Sequence, residues 1–303
     1  MSTSTPYRPL HPHRDQQLTL RGLSHHVLRW GQPRSGQPPL VLMHGWMDVG
    51  ASFQFVVDEL AGLEGREREI IAMDWRGFGD SEAGSDTYWF PDYLADLDAL
   101  LDALSPAQPV DLLGHSMGGN IVMSYAGVRP ERIRRLVNLE GFGLPDANPA
   151  AAPERLRQWL DELKTPATLR PYASLAEVAE RLMKNNPRLP TDKAAWLAGH
   201  WARETPEGFA LRADPAHKHT NPVLYRRAEA LACWQRIAAP TLWVEGSDEQ
   251  LNRFWGGRYT REDFESRLAL VPGLERCVLN DAGHMLHHDQ PLALARQLLA
   301  FLG

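Results

Sequence analysis

Short, largely apolar runs alternate with segments of helical periodicity along most of this chain. Residues 39–43 (PLVLM) form one such run, which is typical of a strand covered on both faces. Similar runs recur at residues 69–73, 110–113, 135–139, 241–244 and 276–279. Amphipathic helical patterns lie between them at residues 53–60, 93–104, 120–127 and 292–302. The alternation predicts an α/β fold with a mostly parallel central sheet flanked by helices.

The alternation stops between about residues 145 and 236. This stretch has helical patterns at residues 154–163, 175–184 and 192–201, and no convincing strand. We interpret it as a helical cap inserted into the α/β fold. The predicted organisation is therefore a core built from residues 1–144 and 237–303, with the insertion at residues 145–236.

The bulk composition narrows the class of protein. Of the 303 residues, 43% are hydrophobic and 23% are charged, which is ordinary for a globular protein. The net charge of −6 argues against nucleic acid as a partner. The opening residues lack the apolar core of a signal peptide, and no apolar stretch is long enough to span a bilayer. We expect a soluble cytoplasmic protein that acts on a small molecule. The oligomeric state is not predicted.

The pentapeptide GHSMG at residues 114–118 matches G-x-S-x-G and follows an apolar run. A serine on a strained strand-to-helix turn exposes its hydroxyl, and glycines two positions away on either side let the crowded backbone pack. Ser116 is therefore a candidate nucleophile. The competing interpretation is a serine that only caps a helix. The segment HGWMD at residues 44–48 also follows an apolar run, so the backbone N–H groups of Trp46 and Met117 are candidate donors of an oxyanion hole.

Four motifs together resemble those of the α/β-hydrolase fold family: HGW at residues 44–46, DWRGFGDS at 74–81, GHSMGG at 114–119 and DAGH at 281–284. The segment YWFPDY at residues 88–93 resembles the serine hydrolase-like branch. The resemblance implies a Ser-acid-His catalytic triad and a helical cap that varies between members. It also implies that DWRGFGDS is a structural turn and not a phosphate-binding loop.

The resemblance makes His284 the general base, and the acid has three candidates. The family usually carries its acid two or three residues after the glycine that follows the strand at residues 241–244, which makes Asp248 and Glu249 eligible. Asp248 is our choice, because the shorter side chain is the commoner partner of the histidine. Glu249 is the neighbouring alternative, and Glu140, at the end of another strand, is the third. The chain order Ser-acid-His holds for all three.

Histidines also occur in near-adjacent pairs: His287 with His288, His217 with His219, and His11 with His13. No carboxylate stands at ligand spacing from them, so we interpret them as surface residues. The sequence predicts neither a metal site nor a cofactor.

A serine nucleophile predicts acyl transfer to water through an acyl-serine intermediate. Aromatic and apolar residues are frequent in the insertion and beside the motif loops, which favours small to medium apolar or aromatic carboxylic esters as substrates. Those of the insertion are Trp159, Tyr172, Trp196, Trp201, Phe209 and Trp234, and those beside the motif loops are Trp46, Met47, Trp89, Phe142 and Met285. Two alternatives stay open: a non-catalytic small-molecule-binding protein on the same fold, and a cofactor-free C–C hydrolase or acyltransferase.

Overall fold

A computed structural model of the chain describes residues 5–64, 68–165 and 167–303. Its described strands, in chain order, are β1 Arg14–Leu20, β2 Leu23–Trp30, β3 Leu40–Met43, β4 Ile70–Met73, β5 Val110–His115, β6 Ile133–Leu139, β7 Ala202–Thr205, β8 Gly208–Leu211, β9 Thr241–Gly246 and β10 Leu274–Leu279. Eight of them form one sheet in the order β1-β2-β4-β3-β5-β6-β9-β10. The pairs β1–β2 and β2–β4 are antiparallel, and the pairs from β4 to β10 are parallel.

Helices cover both faces of this sheet. The described α-helices are α1 Gln54–Glu64, α2 Phe90–Leu104, α3 Met117–Val128, α4 Ala152–Leu163, α5 Leu175–Asn185, α6 Thr191–Trp201, α7 Arg227–Trp234, α8 Gln250–Trp255, α9 Arg261–Leu268, α10 Leu286–Asp289 and α11 Pro291–Leu302. Among these described helices, none combines the length and the apolar character needed to cross a membrane.

Strand β3 shows why the wholly apolar runs form the centre of the sheet. Each of its four residues is fully buried. Successive side chains of a strand point to opposite faces, so Val41 and Met43 enter one hydrophobic cluster while Leu40 and Leu42 enter the other. A polar residue in either set would lie in a core, so the run has to be apolar throughout.

The α/β-hydrolase fold predicted from the motifs is confirmed, with its mostly parallel sheet and flanking helices. The expectation that residues 145–236 contain no strand is wrong, because β7 and β8 pair there as an antiparallel hairpin. Each strand is only four residues long, and β7 is polar, with Arg203 and Glu204 exposed, so the hairpin gives a weak strand pattern in the sequence. The division into core and cap remains a prediction.

Candidate active site

Ser116 lies between the end of β5 and the start of α3, in a backbone conformation rare for a side-chain-bearing residue (φ 53°, ψ −114°). The turn leaves no room for side chains on either flank. A Cβ on Gly114 would lie 2.4 Å from the carbonyl oxygen of Gly118, and a Cβ on Gly118 would lie 2.2 Å from that of Met43. Both glycines of the motif are therefore required by packing, and the strained turn aims the hydroxyl away from the sheet.

His284 lies in the loop after β10 and contacts Ser116 directly. Its Nε2 is 2.9 Å from the Oγ of Ser116, and its Nδ1 is 3.2 Å from the Oε2 of Glu140. The ring of Phe254 packs edge-on against the imidazole, with ring centroids 4.8 Å apart. A neutral imidazole accepts at one nitrogen and donates from the other, so this geometry allows His284 to accept a hydrogen bond from Ser116 while donating one to Glu140.

Glu140 follows the last residue of β6, and its side chain is fully buried. Its backbone also adopts a positive φ, of 58°. One carboxylate oxygen accepts a 2.7 Å hydrogen bond from the backbone N–H of Gly246, and the other faces His284. Both oxygens are thus held, which fixes the carboxylate against the imidazole.

The structure corrects the expectation that Asp248 contacts the histidine. Its carboxylate accepts two hydrogen bonds from the guanidinium of Arg188, at 2.7 and 3.1 Å, and is about 40% exposed. The backbone N–H of Asp248 donates to the carbonyl of Ala282, which fixes the loop so that the side chain meets the insertion. Glu249 lies 3.4 Å from Arg261. Of the three candidate acids, Glu140 is the one the structure brings to His284.

Burial shifts the pKa of both His284 and Glu140. Desolvation lowers the pKa of His284 to about 4, so its imidazole is neutral at neutral pH. Desolvation also raises the pKa of Glu140, while the hydrogen bond from the Gly246 N–H opposes that rise by favouring the carboxylate. The neutral imidazole is the form that can accept a proton from a hydroxyl.

The loop after β3 packs directly on the serine. A Cβ on Gly45 would lie 3.2 Å from the Cβ of Ser116. His44 anchors this loop, because the backbone N–H of Trp75 donates to its Nε2 at 2.9 Å. Met117 is the first residue of α3, and the first N–H groups of a helix have no partner within the helix. The assignment of the Trp46 and Met117 N–H groups as oxyanion donors stays a prediction.

Ser116 and His284 line a cavity of about 700 Å³ between the sheet and the insertion. Five of the aromatic or apolar residues singled out in the sequence line it: Trp46, Met47, Tyr172, Trp201 and Met285. The others lie elsewhere; Trp234 and Phe142 are core residues, for example, and Trp159 donates a hydrogen bond to Thr87. Further apolar walls come from Leu169, Val178, Leu182, Leu189, Leu211 and Phe254.

Cationic side chains also line this cavity, at exposed positions. They are Arg170, Arg181, Lys184, Arg188, Lys218 and Arg253. Arg188 is paired with Asp248, and within the described residues the other five have no carboxylate partner. Fewer acids line the cavity: Asp48, Asp248 and Asp289. The cavity therefore combines an apolar wall with an excess of positive charge.

The expectation that the paired histidines lie on the surface is wrong for three of them. His287 and His288 are fully buried behind the serine, and His217 is buried between the rings of Phe78 and Tyr88 at centroid distances of 3.7 and 3.6 Å. Stacking of neutral imidazoles on aromatic rings makes these positions favourable, and no spacing rule reveals it. His217 thereby joins the insertion to the sheet domain.

The segment DWRGFGDS is structural, in agreement with the resemblance. The buried carboxylate of Asp74 accepts hydrogen bonds from the backbone N–H of Gly50, at 2.6 Å, and from His26, at 2.7 Å. The guanidinium of Arg76 forms two hydrogen bonds to the buried Asp96, at 2.5 and 2.6 Å. These contacts tie the turn to the segment before α1, to β2 and to α2, away from Ser116.

Comparison with known proteins agrees with this geometry. The family model for the alpha/beta hydrolase fold matches residues 38–291. A serine hydrolase-like protein of Danio rerio is 30% identical over 286 residues, which cover 90% of this chain and 83% of that protein. An esterase of Escherichia coli strain K12 is 25% identical, over 89% of this chain and 95% of the esterase. The thioesterase domain from the curacin biosynthetic pathway superimposes with a TM-score of 0.82 at 26% identity, covering 95% of this chain and 99% of that domain. The chain therefore belongs to the α/β-hydrolase fold family, in its serine hydrolase-like branch, and is a hydrolase.

Proposed function

We propose that this hydrolase cleaves carboxylic esters through an acyl-serine intermediate, with Ser116, His284 and Glu140 as its catalytic triad. One observation carries the proposal: the hydrogen-bonded line from Ser116 Oγ through the imidazole of His284 to Glu140, at 2.9 and 3.2 Å, opens onto a cavity. A nucleophile within reach of a base, which is itself oriented by a third group, is the arrangement that acyl transfer requires.

The proposed reaction follows from the roles of these atoms. Nε2 of His284 takes the hydroxyl proton while Ser116 Oγ bonds to the ester carbonyl carbon, and the carbonyl oxygen becomes an oxyanion. The backbone N–H groups of Trp46 and Met117 are the proposed donors to that oxyanion. Collapse of the intermediate expels the alcohol, which receives its proton from His284. Water then attacks the acyl-serine with His284 as base and releases the acid. Glu140, in its ionised form, stabilises the imidazolium.

The cavity supports small to medium apolar or aromatic esters as substrates. Its volume of about 700 Å³ lies within the range of sites that enclose small ligands. Trp46 and Phe254 line it and remain about half exposed, at 52% and 45%, so apolar surface is available where a substrate enters. The thioesterase and esterase among the similar proteins act on acyl groups, which favours the same reaction type.

The proposal is tested with a fluorophosphonate probe and with p-nitrophenyl acetate, butyrate and octanoate. Wild-type protein should be labelled and should hydrolyse at least one ester. Ser116→Ala should lose labelling completely and lose kcat by roughly 10⁴-fold or more, because the nucleophile is absent. The preference among the three chain lengths measures the acyl room in the cavity.

Ser124→Ala is the matched control, since Ser124 is a buried serine of the same helix whose hydroxyl only donates to the carbonyl of Asn120. It should keep both labelling and turnover. A wild-type protein that neither reacts with the probe nor turns over any ester would contradict the proposal and would favour a ligand-binding role. Hydrolysis that persists in Ser116→Ala would contradict the assigned nucleophile.

A further inference from the structure

Three buried side chains from separate segments meet behind the nucleophile. They are Asp48, in the loop after β3, His115, the last residue of β5, and His287, in α10. Their exposed fractions are 4%, 2% and 0%. One ligand atom from each lies within 4.8 Å of the other two. We refer to these three residues as the Asp-His-His cluster.

Polar atoms of the cluster have no hydrogen-bond partner within the described residues. They are the Oδ2 of Asp48, the Nδ1 of His115 and both ring nitrogens of His287. Buried polar atoms in folded proteins are nearly always paired, so several orphaned atoms in one place indicate a bound species. All three residues offer lone pairs, which suits a cation.

The tautomer of His115 also suits a cation. The Nε2 of His115 is 2.7 Å from the backbone carbonyl of His284, and a carbonyl only accepts, so Nε2 carries the proton and Nδ1 presents its lone pair. Metal-ligating histidines commonly donate their second ring N–H to a carbonyl in this way.

Asp48 completes the set of ligands. Its Oδ1 accepts hydrogen bonds from the backbone N–H of Val49, at 2.8 Å, and from the hydroxyl of Ser52. The indole of Trp201 also lies near this carboxylate, but Oδ2 makes no hydrogen bond of standard geometry within the described residues. Asp48 and His115 also line the catalytic cavity, so an ion has a path of entry.

We propose that Asp48, His115 and His287 form a binding site for a divalent transition-metal ion, separate from the Ser116–His284–Glu140 line. Two imidazoles and one carboxylate are a ligand set that suits Zn²⁺ and its first-row neighbours, with one position left for water. Ligand atoms on tetrahedral zinc lie about 3.3 Å apart, since the bonds are about 2.0–2.1 Å long. Binding therefore draws the three side chains closer together. The three ligands come from distant parts of the chain, so no local sequence motif predicts the site.

Isothermal titration of the full-length, metal-stripped protein with ZnCl₂ tests the proposal. Wild-type protein should bind one equivalent with a dissociation constant in the micromolar range or tighter. Asp48→Asn, which keeps the shape of the side chain, and His287→Gln should each weaken binding at least tenfold. Circular dichroism and urea unfolding establish that each variant is folded. Titration with Co²⁺ gives a second readout, because a tetrahedral site produces intense visible absorption.

Two comparison variants locate the ion. His200→Gln changes a half-buried histidine that stacks on Trp196, outside the cluster, and should bind zinc as wild type does. Glu140→Gln should also retain full affinity. Loss of affinity in Glu140→Gln, with Asp48→Asn unaffected, would place the ion at the catalytic pair and overturn the proposal. Absence of stoichiometric binding by folded wild-type protein would overturn it as well.

Discussion

Backbone strain at the scale of single residues is concentrated around the site. Within the described residues, five non-glycine residues have positive φ, namely Arg21, Met47, Ser116, Glu140 and Asp281. Ser116 and Glu140 directly follow residues that pair across the adjacent strands β5 and β6. Met47 adjoins Trp46, and Asp281 lies in the loop that carries His284. Such conformations cost of order 1–3 kcal/mol each and persist where packing over-determines them. All of them except Arg21, which lies in the turn between β1 and β2, lie in segments that follow the parallel strands.

The identity of the acid is the first prediction at this scale. Glu140→Gln should lower kcat/KM for a p-nitrophenyl ester by roughly 10²–10⁴-fold, because the imidazolium then lacks its buried counter-charge. Asp248→Asn and Glu249→Gln should remain within about threefold of wild type, because both carboxylates face arginines and not His284. Steady-state kinetics of the three variants checks this. Full activity in Glu140→Gln would remove it from the triad.

The pH profile of kcat/KM is the second prediction. The base must be neutral, and burial lowers the pKa of His284 to about 4, so this condition is met above that pH. Glu140 must be ionised, and burial raises its pKa, so this condition is met only at higher pH. The activity should therefore rise with pH, and this rise should lie above pH 4. It reports the coupled titration of His284 and Glu140 and not of either residue alone. In Glu140→Gln the rising limb of the residual activity should shift to lower pH, because His284 is then the only member of the pair that titrates. An identical limb in both proteins would contradict the assignment.

These residues also show what sequence reasoning can and cannot reach. Ser116 and His284 stand in local motifs whose chemistry needs those residue types, so their neighbours reveal them. The contact between Glu140 and His284 spans 144 positions, and the pairing of Asp248 with Arg188 spans 60. Chain order permits Asp248, Glu249 and Glu140 alike, so only the packing of loops distinguishes them.

At the scale of elements, the prediction succeeds for strands and helices with strong periodicity and fails where tertiary contacts decide. Strands β3 and β4 are apolar throughout because both of their faces are buried, and this pattern can be recognised in the sequence. The hairpin β7–β8 is short: β7 is polar, and the apolar β8 has only four residues. It is held instead by contacts such as the two backbone hydrogen bonds between Tyr172 and Phe209, at 2.8 and 2.9 Å. Elements of this kind carry no periodic signal.

The insertion gives a prediction about substrate charge. Unpaired cations line the cavity, two of them on α5, Arg181 and Lys184. A p-nitrophenyl ester with a terminal carboxylate, such as the hemiglutarate, should have a lower KM than the neutral p-nitrophenyl valerate of similar length, with little difference in kcat. The advantage should shrink between 20 and 500 mM NaCl, because salt screens exposed charges.

The double variant Arg181→Gln/Lys184→Gln should reduce this KM advantage, by several-fold at low salt. Arg203→Gln serves as the control, since Arg203 is an exposed cation of β7 that does not line the cavity. An advantage that is insensitive to both salt and the double variant would show that the cations do not contact the substrate.

For the whole molecule, buried neutral histidines set the response to acid. Burial lowers the pKa of His200 to about 4 and that of His217 and His288 to about 3, and it lowers those of His115 and His287 as well. An unfolded histidine titrates near pH 6.5. Below that pH the unfolded chain binds more protons than the folded one, so stability falls as the pH falls. The pKa is raised on folding for Asp48, Glu64, Glu140, Asp289 and His26, and these groups act in the opposite sense. Within the described residues they are fewer than the eight histidines whose pKa burial lowers.

The free energy of unfolding, measured by urea denaturation, should therefore decrease steeply from pH 7 to pH 5. Each buried histidine contributes a slope of about 1 kcal/mol per pH unit between its folded pKa and 6.5. His217→Gln should lower stability at pH 7, because it removes the ring that stacks between Phe78 and Tyr88. It should also make the change of unfolding free energy with pH less steep, by the contribution of one titrating group. His219→Gln, two positions along the chain, is the control for the change of side chain. A slope that His217→Gln leaves unchanged would mean that the burial of this imidazole is not linked to acid unfolding, and that other groups carry the acid sensitivity of the molecule.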